Sequence, residues 1–259
     1  MPPAIDIIVL DIDGGPMLEE CLASIRAQTL EARILLFDNG SRTPVPNAIR
    51  SETNLGFAGG ANAALRHSTS AYVALVNNDV VLERDWLACV SAALDRDARL
   101  AAVQTIIRRP DGRIDGAGID VSDGTYRQIG HGAEIGSPLA VAWGVSATAT
   151  LYRRDAIGDR LFDERFFAWY EDVELCARLR EEGWRTAVLP VVKATHRGSQ
   201  SASILGKQAL RLRTRNRYFV ARLHRGAGRI GALLWEDARL ALRGRTSLRG
   251  IIEGLCSPL

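Results

Sequence analysis

The stretch Y-V-A-L-V-N-N-D, Tyr72 to Asp79, decides the fold. Its apolar residues run together from Tyr72 to Val76 and stop at three polar ones. A strand exposed on one face alternates, whereas a continuous run suits a parallel strand buried on both faces. Ile5–Leu10 and Ile34–Phe37 repeat the pattern, ending at Asp11-Ile12-Asp13 and at Asp38-Asn39-Gly40-Ser41. Leu100–Ile107 is also strand-like. Helical patterns fall between these runs: one opens at Pro16 and continues through Leu18, Cys21, Leu22 and Ile25, and others cover Ala58–His67 and Trp86–Leu94. This alternation predicts an α/β fold, doubly wound, with a mostly parallel sheet. Ligands in such sheets bind beyond the carboxyl ends of the strands, so the three polar ends mark one shared cleft.

Working outward, Pro110–Ser137 is rich in Gly and Asp and reads as loops and short hairpins. Val141–Tyr152, apolar and small, is expected to return to the sheet, followed by strands at Thr186–Leu189 and Val191–His196. From Ile204 the chain is helical and basic. It is dense in arginine and nearly free of acid between Lys207 and Arg249. Such a segment suits an anionic surface such as a membrane, a protein partner, or a solvated face. No nucleic-acid partner is expected. The whole chain has 259 residues, a formal net charge of +3 and an ordinary soluble composition. Cys21, Cys89, Cys176 and Cys256 form no C-x-x-C pair and read as packed thiols of a reducing compartment. M-P-P-A-I-D lacks the basic and apolar regions of a signal peptide, and no apolar run is long enough to span a bilayer. The expected location is therefore cytoplasmic.

The chemistry concentrates in F-F-A-W-Y-E-D-V-E-L-C-A-R, Phe166 to Arg178. On a helix from Tyr170 to Glu182, Asp172 shares a face with Leu175, Cys176 and Leu179, whereas Glu171 lies with Glu174 and Arg178 at the polar edge. An acid in a first turn favours the helix dipole. One on the apolar face costs several kcal/mol unless paired or lining a cleft. Asp172 is thus a cleft candidate, and Phe166 and Phe167 are expected in the core. Asn77-Asn78-Asp79 offers hard oxygen ligands for a divalent cation, or simply a turn. N-L-G-F-A-G-G-A-N, Asn54 to Asn62, lets backbone approach closely before a helix N-terminus. His196, in A-T-H-R-G-S, becomes a metal candidate only with a second ligand such as Asp79. V-L-D-I-D-G-G, Val9 to Gly15, resembles the D-x-D-G of haloacid-dehalogenase-type phosphatases, but Lys193 and Lys207 fall after Glu171-Asp172, the wrong order for that family.

Taken in order, several blocks resemble family-2 glycosyltransferases of the GT-A fold, in their rhamnosyltransferase-like branch. They are L-F-D-N-G-S at Leu36, N-L-G-F-A-G-G-A-N at Asn54, L-V-N-N-D-V at Leu75, F-D-E-R-F-F-A-W-Y-E-D-V-E-L-C-A-R at Phe162, H-R-G-S at His196 and R-T-R-N-R at Arg213. The likeness spans about residues 5 to 225. It implies a GT-A (nucleotide-diphospho-sugar transferase) domain over 1–203, with a nucleotide-binding half over about 1–107 and an acceptor half over about 108–203. A basic helical extension follows at 204–259.

The resemblance also implies roles. Asp38 contacts the nucleotide base. Asn54, Gly56, Asn62, Asn77 and Asn78 line the nucleotide pocket. Asp79 and His196 hold a divalent cation, Mn2+ or Mg2+. Trp169, Tyr170 and Glu171 face the acceptor, and Asp172 is the catalytic base of an inverting transfer. The donor it implies is a nucleotide-diphosphate sugar, dTDP-rhamnose or a UDP-sugar. The acceptor is a glycan or lipid-linked glycan of the cell envelope, reached at the inner face of the plasma membrane. One departure stands out. Asp11-Ile12-Asp13-Gly14 replaces the family's usual Thr-Tyr-Asn-Arg, which puts Asp11 and Asp13 beside an anionic donor. That departure, with Asn77 in place of an acid, keeps open a non-catalytic sugar-nucleotide-binding or scaffold protein of the same fold.

Overall fold

The computed structural model describes residues 5–198, 205–224 and 227–258. The opening M-P-P-A, Ser199 of H-R-G-S and the expected boundary at 203/204 lie outside them.

Four parallel strands start the sheet: β1 (Ile5–Asp11), β2 (Arg33–Asn39), β3 (Ile49–Ser51) and β4 (Tyr72–Asn77). β5 (Val80–Leu82), β6 (Leu100–Arg108), β7 (Ile114–Gly116), β10 (Ala149–Arg153) and β11 (Arg185–His196) complete it, while β8 (Ile119–Asp120) pairs with β9 (Arg127–Gln128) apart from it. The order is β3-β2-β1-β4-β10-β6-β11-β5, with β7 beside β6. Every residue of β1 is buried, and so are all but the last of β4, as continuous apolar runs require. Val141–Tyr152 does return to the sheet, as β10. It enters antiparallel between β4 and β6, so the sheet is mixed. The strands expected at Thr186–Leu189 and Val191–His196 form one element, β11, with register shifts where Pro190 interrupts it.

Helices α1 (Pro16–Arg26), α2 (Gly56–Leu65) and α3 (Trp86–Arg96) cover the sheet, and a short α4 (Arg154–Ile157) follows β10. Two apolar clusters result. Ile7, Val9 and Val76 pack with α1 and α3, and Ile8, Leu75 and Phe162 pack with α2 and α5 (Glu171–Glu181).

Three helices follow β11: α6 (Lys207–Leu223), α7 (Ala227–Ala241) and α8 (Leu248–Cys256). They pack against the body rather than trailing from it. Phe219 and Val220 of α6 meet Phe166 and Val173 beside α5. Gly250 and Gly254 let α8 lie directly on α6; a Cβ on either would fall 2.6 Å from a carbonyl oxygen of Arg211 or Arg215. Among the described residues, no helix is long and apolar enough to cross a membrane.

Candidate active site

A cavity of about 440 Å³ opens at the carboxyl ends of β1 and β4, in the size range of small-molecule sites. Strand register brings its floor together: Leu10 pairs with Asn77, which sets Asp11 beside the Asn77-Asn78-Asp79 end of β4. Asp11, Asn54, Gly56, Asn77, Asn78 and Asp79 line the nucleotide-facing side expected from sequence. Asp11 is buried. Its carboxylate accepts from Asn78 Nδ2 and the Gly14 N–H, each at 2.6 Å. Burial pushes its pKa up, with the charges of Asp38 and Asp13 adding to the effect.

Three residues expected at the nucleotide do not line this cavity. Asp38 is fully buried and fastens the β2–β3 connection. It accepts the Ser41 and Val45 amides at 2.9 and 3.1 Å and pairs with Arg50. Burial works against its charge, but these bonds outweigh it and hold the carboxyl below its usual range. Asp13 turns outward to Arg42, 3.0 Å away. Asn62 uses its amide on the chain before α5, accepting from the Leu161 and Phe162 N–H groups at 2.9 and 3.0 Å. Asp11 and Asp13 therefore do not converge, and the phosphatase reading loses its paired carboxylates. The glycine loop also serves the protein itself. Gly56 has φ +75°, and a Cβ there would meet the Phe167 carbonyl oxygen at 2.5 Å.

That carbonyl belongs to the turn leading into α5. Phe167, Trp169 and Tyr170 all adopt positive φ, costing about 1–2 kcal/mol each for residues with a Cβ. The turn is held from α6, where the Asn216 amide reaches the carbonyl oxygens of Phe166, Ala168 and Trp169 at 2.7–2.8 Å. Phe166 is in the core as expected. Phe167 is not; it lines the cavity with Trp169 and Tyr170. Arg213 of α6 stacks over Trp169 at 4.7 Å and also lines the cavity.

Asp172 enters the cavity from the first turn of α5, partly exposed. Its oxygens accept the Val173 N–H at 2.8 Å and the Ala147 N–H at 3.3 Å. Burial raises its pKa to about 6, and these amides limit the rise. Glu171 is not at a polar edge: it is buried, yet it lines the cavity beside Asp172. Glu174 is buried too, 3.4 Å from His224 just after α6. One oxygen of Glu171 has no hydrogen-bond partner among the described residues. Burial, and then the neighbouring Asp172, push its pKa well above the carboxylate range.

Antiparallel pairing sets His196 opposite Val80 and so brings it beside Asp79. Its Nε2 lies 3.1 Å from Asp79 Oδ1, buried and without a well-formed hydrogen bond. Its Nδ1 lies 2.7 Å from Asp115 Oδ2, an arrangement that orients metal-binding histidines. Burial disfavours the imidazolium, but the Asp115 and Asp79 carboxylates outweigh it and raise the pKa to about 9. No group of three or more His, Cys, Asp or Glu suited to a metal occurs among the described residues. One carboxylate and one imidazole still fit a divalent cation that takes its other ligands from phosphate and water.

Sequence reading missed Asp115, Asn216 and Arg213 as residues of this site. The last two sit in R-T-R-N-R, where the polar Asn216 on a helix otherwise buried at that face was the available signal. Asp115 lies in a Gly/Asp-rich hairpin segment with no such pattern.

The architecture is the GT-A fold of nucleotide-sugar-dependent transferases, and comparison with solved structures shows it directly. A mannosyltransferase from Pyrobaculum calidifontis, in complex with GDP-Man and Mn2+, matches with a TM-score of 0.64 at 19% identity, over 96% of this chain and 78% of the other. GalNAc-T7 with UDP, GalNAc and Mn2+ matches with a TM-score of 0.62 at 12% identity, over 85% and 48%. The model of glycosyl transferase family 2 matches residues 7–161, and the chain belongs to that family of glycosyltransferases. A relative from Mycobacterium tuberculosis, N-acetylglucosaminyl-diphospho-decaprenol L-rhamnosyltransferase, is 26% identical over 96% of this chain and 92% of its own length.

Proposed function

We propose that the chain is an inverting transferase that moves a sugar, rhamnose first, from a nucleotide-diphosphate donor to a lipid-linked glycan. The donor is dTDP-rhamnose or a UDP-sugar. The supporting observation is that one cavity gathers Asp172, Asp79, His196 and Trp169 from separate segments of the chain. The relative named for rhamnosyl transfer to a decaprenol-linked sugar supports the choice of donor and acceptor. Residues 1–203 carry the proposed base and metal ligands, and 204–259, the basic extension, add Arg213 to the cavity and act peripherally at the cytoplasmic face of the membrane.

In this reading Asp172 is the base. It takes the proton of an acceptor hydroxyl as that oxygen bonds to the anomeric carbon, opposite the departing nucleotide, which leaves with the bonding electron pair. A carboxylate with a pKa near 6 is ionised at neutral pH yet accepts a proton readily. Glu171, whose proton burial and the neighbouring Asp172 hold more tightly than in an ordinary carboxyl, faces the acceptor side, and the Trp169 and Tyr170 rings bound that side. Asp11, Asn54, Asn77 and Asn78 face the nucleotide. Asp79 and His196 would hold a divalent cation, Mn2+ or Mg2+, which when bound would supply Lewis-acid charge to the departing diphosphate.

The test is a thermal-shift screen of thymidine, uridine and guanosine sugars with and without Mn2+, followed by transfer assays with the best binder. Stabilisation by one nucleotide class and transfer lost in Asp172→Asn is the expected result. Binding with no turnover on any lipid-linked acceptor would identify a scaffold instead.

A further inference from the structure

α7 buries Asp237, half-buries Glu236 and exposes a second, apolar face. Its acids turn inward. Asp237 is 2% exposed and is engaged by Arg217, Tyr218 and Thr246, and Glu236 pairs with Arg217 at 3.1 Å. Leu233 and Ile230 pack inward against α6, but a second set of apolar residues turns outward. Leu234 and Ala238 follow helical spacing on an exposed face that Leu242 continues just past the helix; Trp235 is 65% exposed and Leu242 is 90% exposed. Arg239 lies on the same face, 4.6 Å over the Trp235 ring. Arg243 and Arg245 follow at its end, exposed and in no ion pair with a described residue. α8 adds to this edge. Its glycines face α6, which leaves Leu248 and Ile252 outward at 73% and 54% exposure.

An outward face of tryptophan, leucine and arginine without free acid is the composition of a helix lying in a membrane interface. The acids beside it, Glu236, Asp237 and Asp123, are all engaged by Arg217 or Arg127. A second copy of the chain meets this face poorly, because two-fold pairing sets its arginines against themselves with no carboxylate to receive them. The face also adjoins the catalytic cavity. A groove along α7, lined by Trp235, Arg239, Leu242 and Arg243, shares Arg127 with that cavity.

We propose that the outward face of α7, with the adjoining edge of α8, docks on the headgroup region of an anionic bilayer. It thereby presents the catalytic cavity to an acceptor carried there. This inference rests on the peripheral-membrane reading above and names the surface responsible.

The test is co-sedimentation of the full chain with vesicles of phosphatidylglycerol and phosphatidylcholine, against phosphatidylcholine alone. Expected are binding to the anionic vesicles only and loss with added salt. Partitioning should weaken about tenfold or more in Trp235→Ser/Leu242→Ser and in Arg243→Glu/Arg245→Glu. These positions are exposed, so the variants keep the circular dichroism and thermal midpoint of the parent. Undiminished vesicle binding by both double variants overturns the assignment of the face while leaving the peripheral reading intact. No binding by the parent chain overturns both. A solution dimer dissociated by the same variants overturns the proposal in favour of self-association. Nucleotide-sugar thermal shifts on each variant report the cavity separately, so a failed transferase reading shows as a missing shift.

Discussion

Asn216 donates its side-chain amide to the carbonyl of Trp169 at 2.7 Å, across 47 residues of chain. One side chain on α6 therefore fixes the turn that aims α5, the helix carrying Asp172, into the cavity. Asn216→Ala removes the donor from three carbonyls in a turn that already holds three residues at positive φ. The expected loss is about 2–3 kcal/mol of stability in urea unfolding, with kcat falling more than nucleotide binding. A variant as stable and active as the parent would show that the turn holds itself.

Asp172→Asn keeps the shape and removes the proposed base. Transfer should fall by about a hundred- to ten-thousand-fold, while the nucleotide-sugar thermal shift persists. In the parent, kcat/KM should fall about tenfold per pH unit below about 6, because protonation of the base in the free enzyme stops catalysis. An acid limb lying near pH 4 instead would assign the base elsewhere.

Glu171 gives a stability signal of definite sign. Its proton affinity is raised by folding, from an ordinary value of 4.5. Below that pH, folded and unfolded chains both hold the proton. Above it the unfolded chain releases the proton first, so stability declines as pH rises, by at most about 1.4 kcal/mol per unit. Glu171→Gln escapes this decline. Its unfolding free energy relative to the parent should climb as pH rises above about 5; a difference independent of pH would place Glu171 in water.

Asp115→Asn leaves both proposed ligands in place but removes the carboxylate behind His196. The Mn2+ concentration giving half-maximal activity should rise about 10- to 100-fold, and His196→Ala should raise it at least as much. Chelation should abolish turnover in the parent, and added Mn2+ should restore it. Equal Mn2+ titrations for Asp115→Asn and the parent would make the Asp115 contact purely structural.

The parts of this structure that sequence makes legible are those with a local cause. Continuous apolar runs marked β1, β2, β4 and β6, because burial on both faces abolishes alternation. Asp172 stood out because an acid on an apolar helical face has few uses. Periodicity put Glu171 at a polar edge, but it says which residues share a side, not whether that side meets water; here Glu171 is buried and lines the cavity. Asp38 and Asn62 show a different limit. A polar residue at a strand end or helix face serves a ligand or the backbone equally well, and only the tertiary partners Arg50, Leu161 and Phe162 decide.

β10 enters the sheet between β4 and β6, so these two strands are never neighbours. Strand β6 ends at residue 108 and β10 begins at residue 149. A chain emerging from the ribosome therefore completes β4 and β6 some forty residues before the strand that joins them exists. Until then β4 lacks its partner on that side, and β6 lacks both β10 and β11, which comes later still, a species open to aggregation during synthesis. Truncations ending just before Ala149 should be recovered with chaperones or in inclusion bodies, and those extending past α6 as soluble protein.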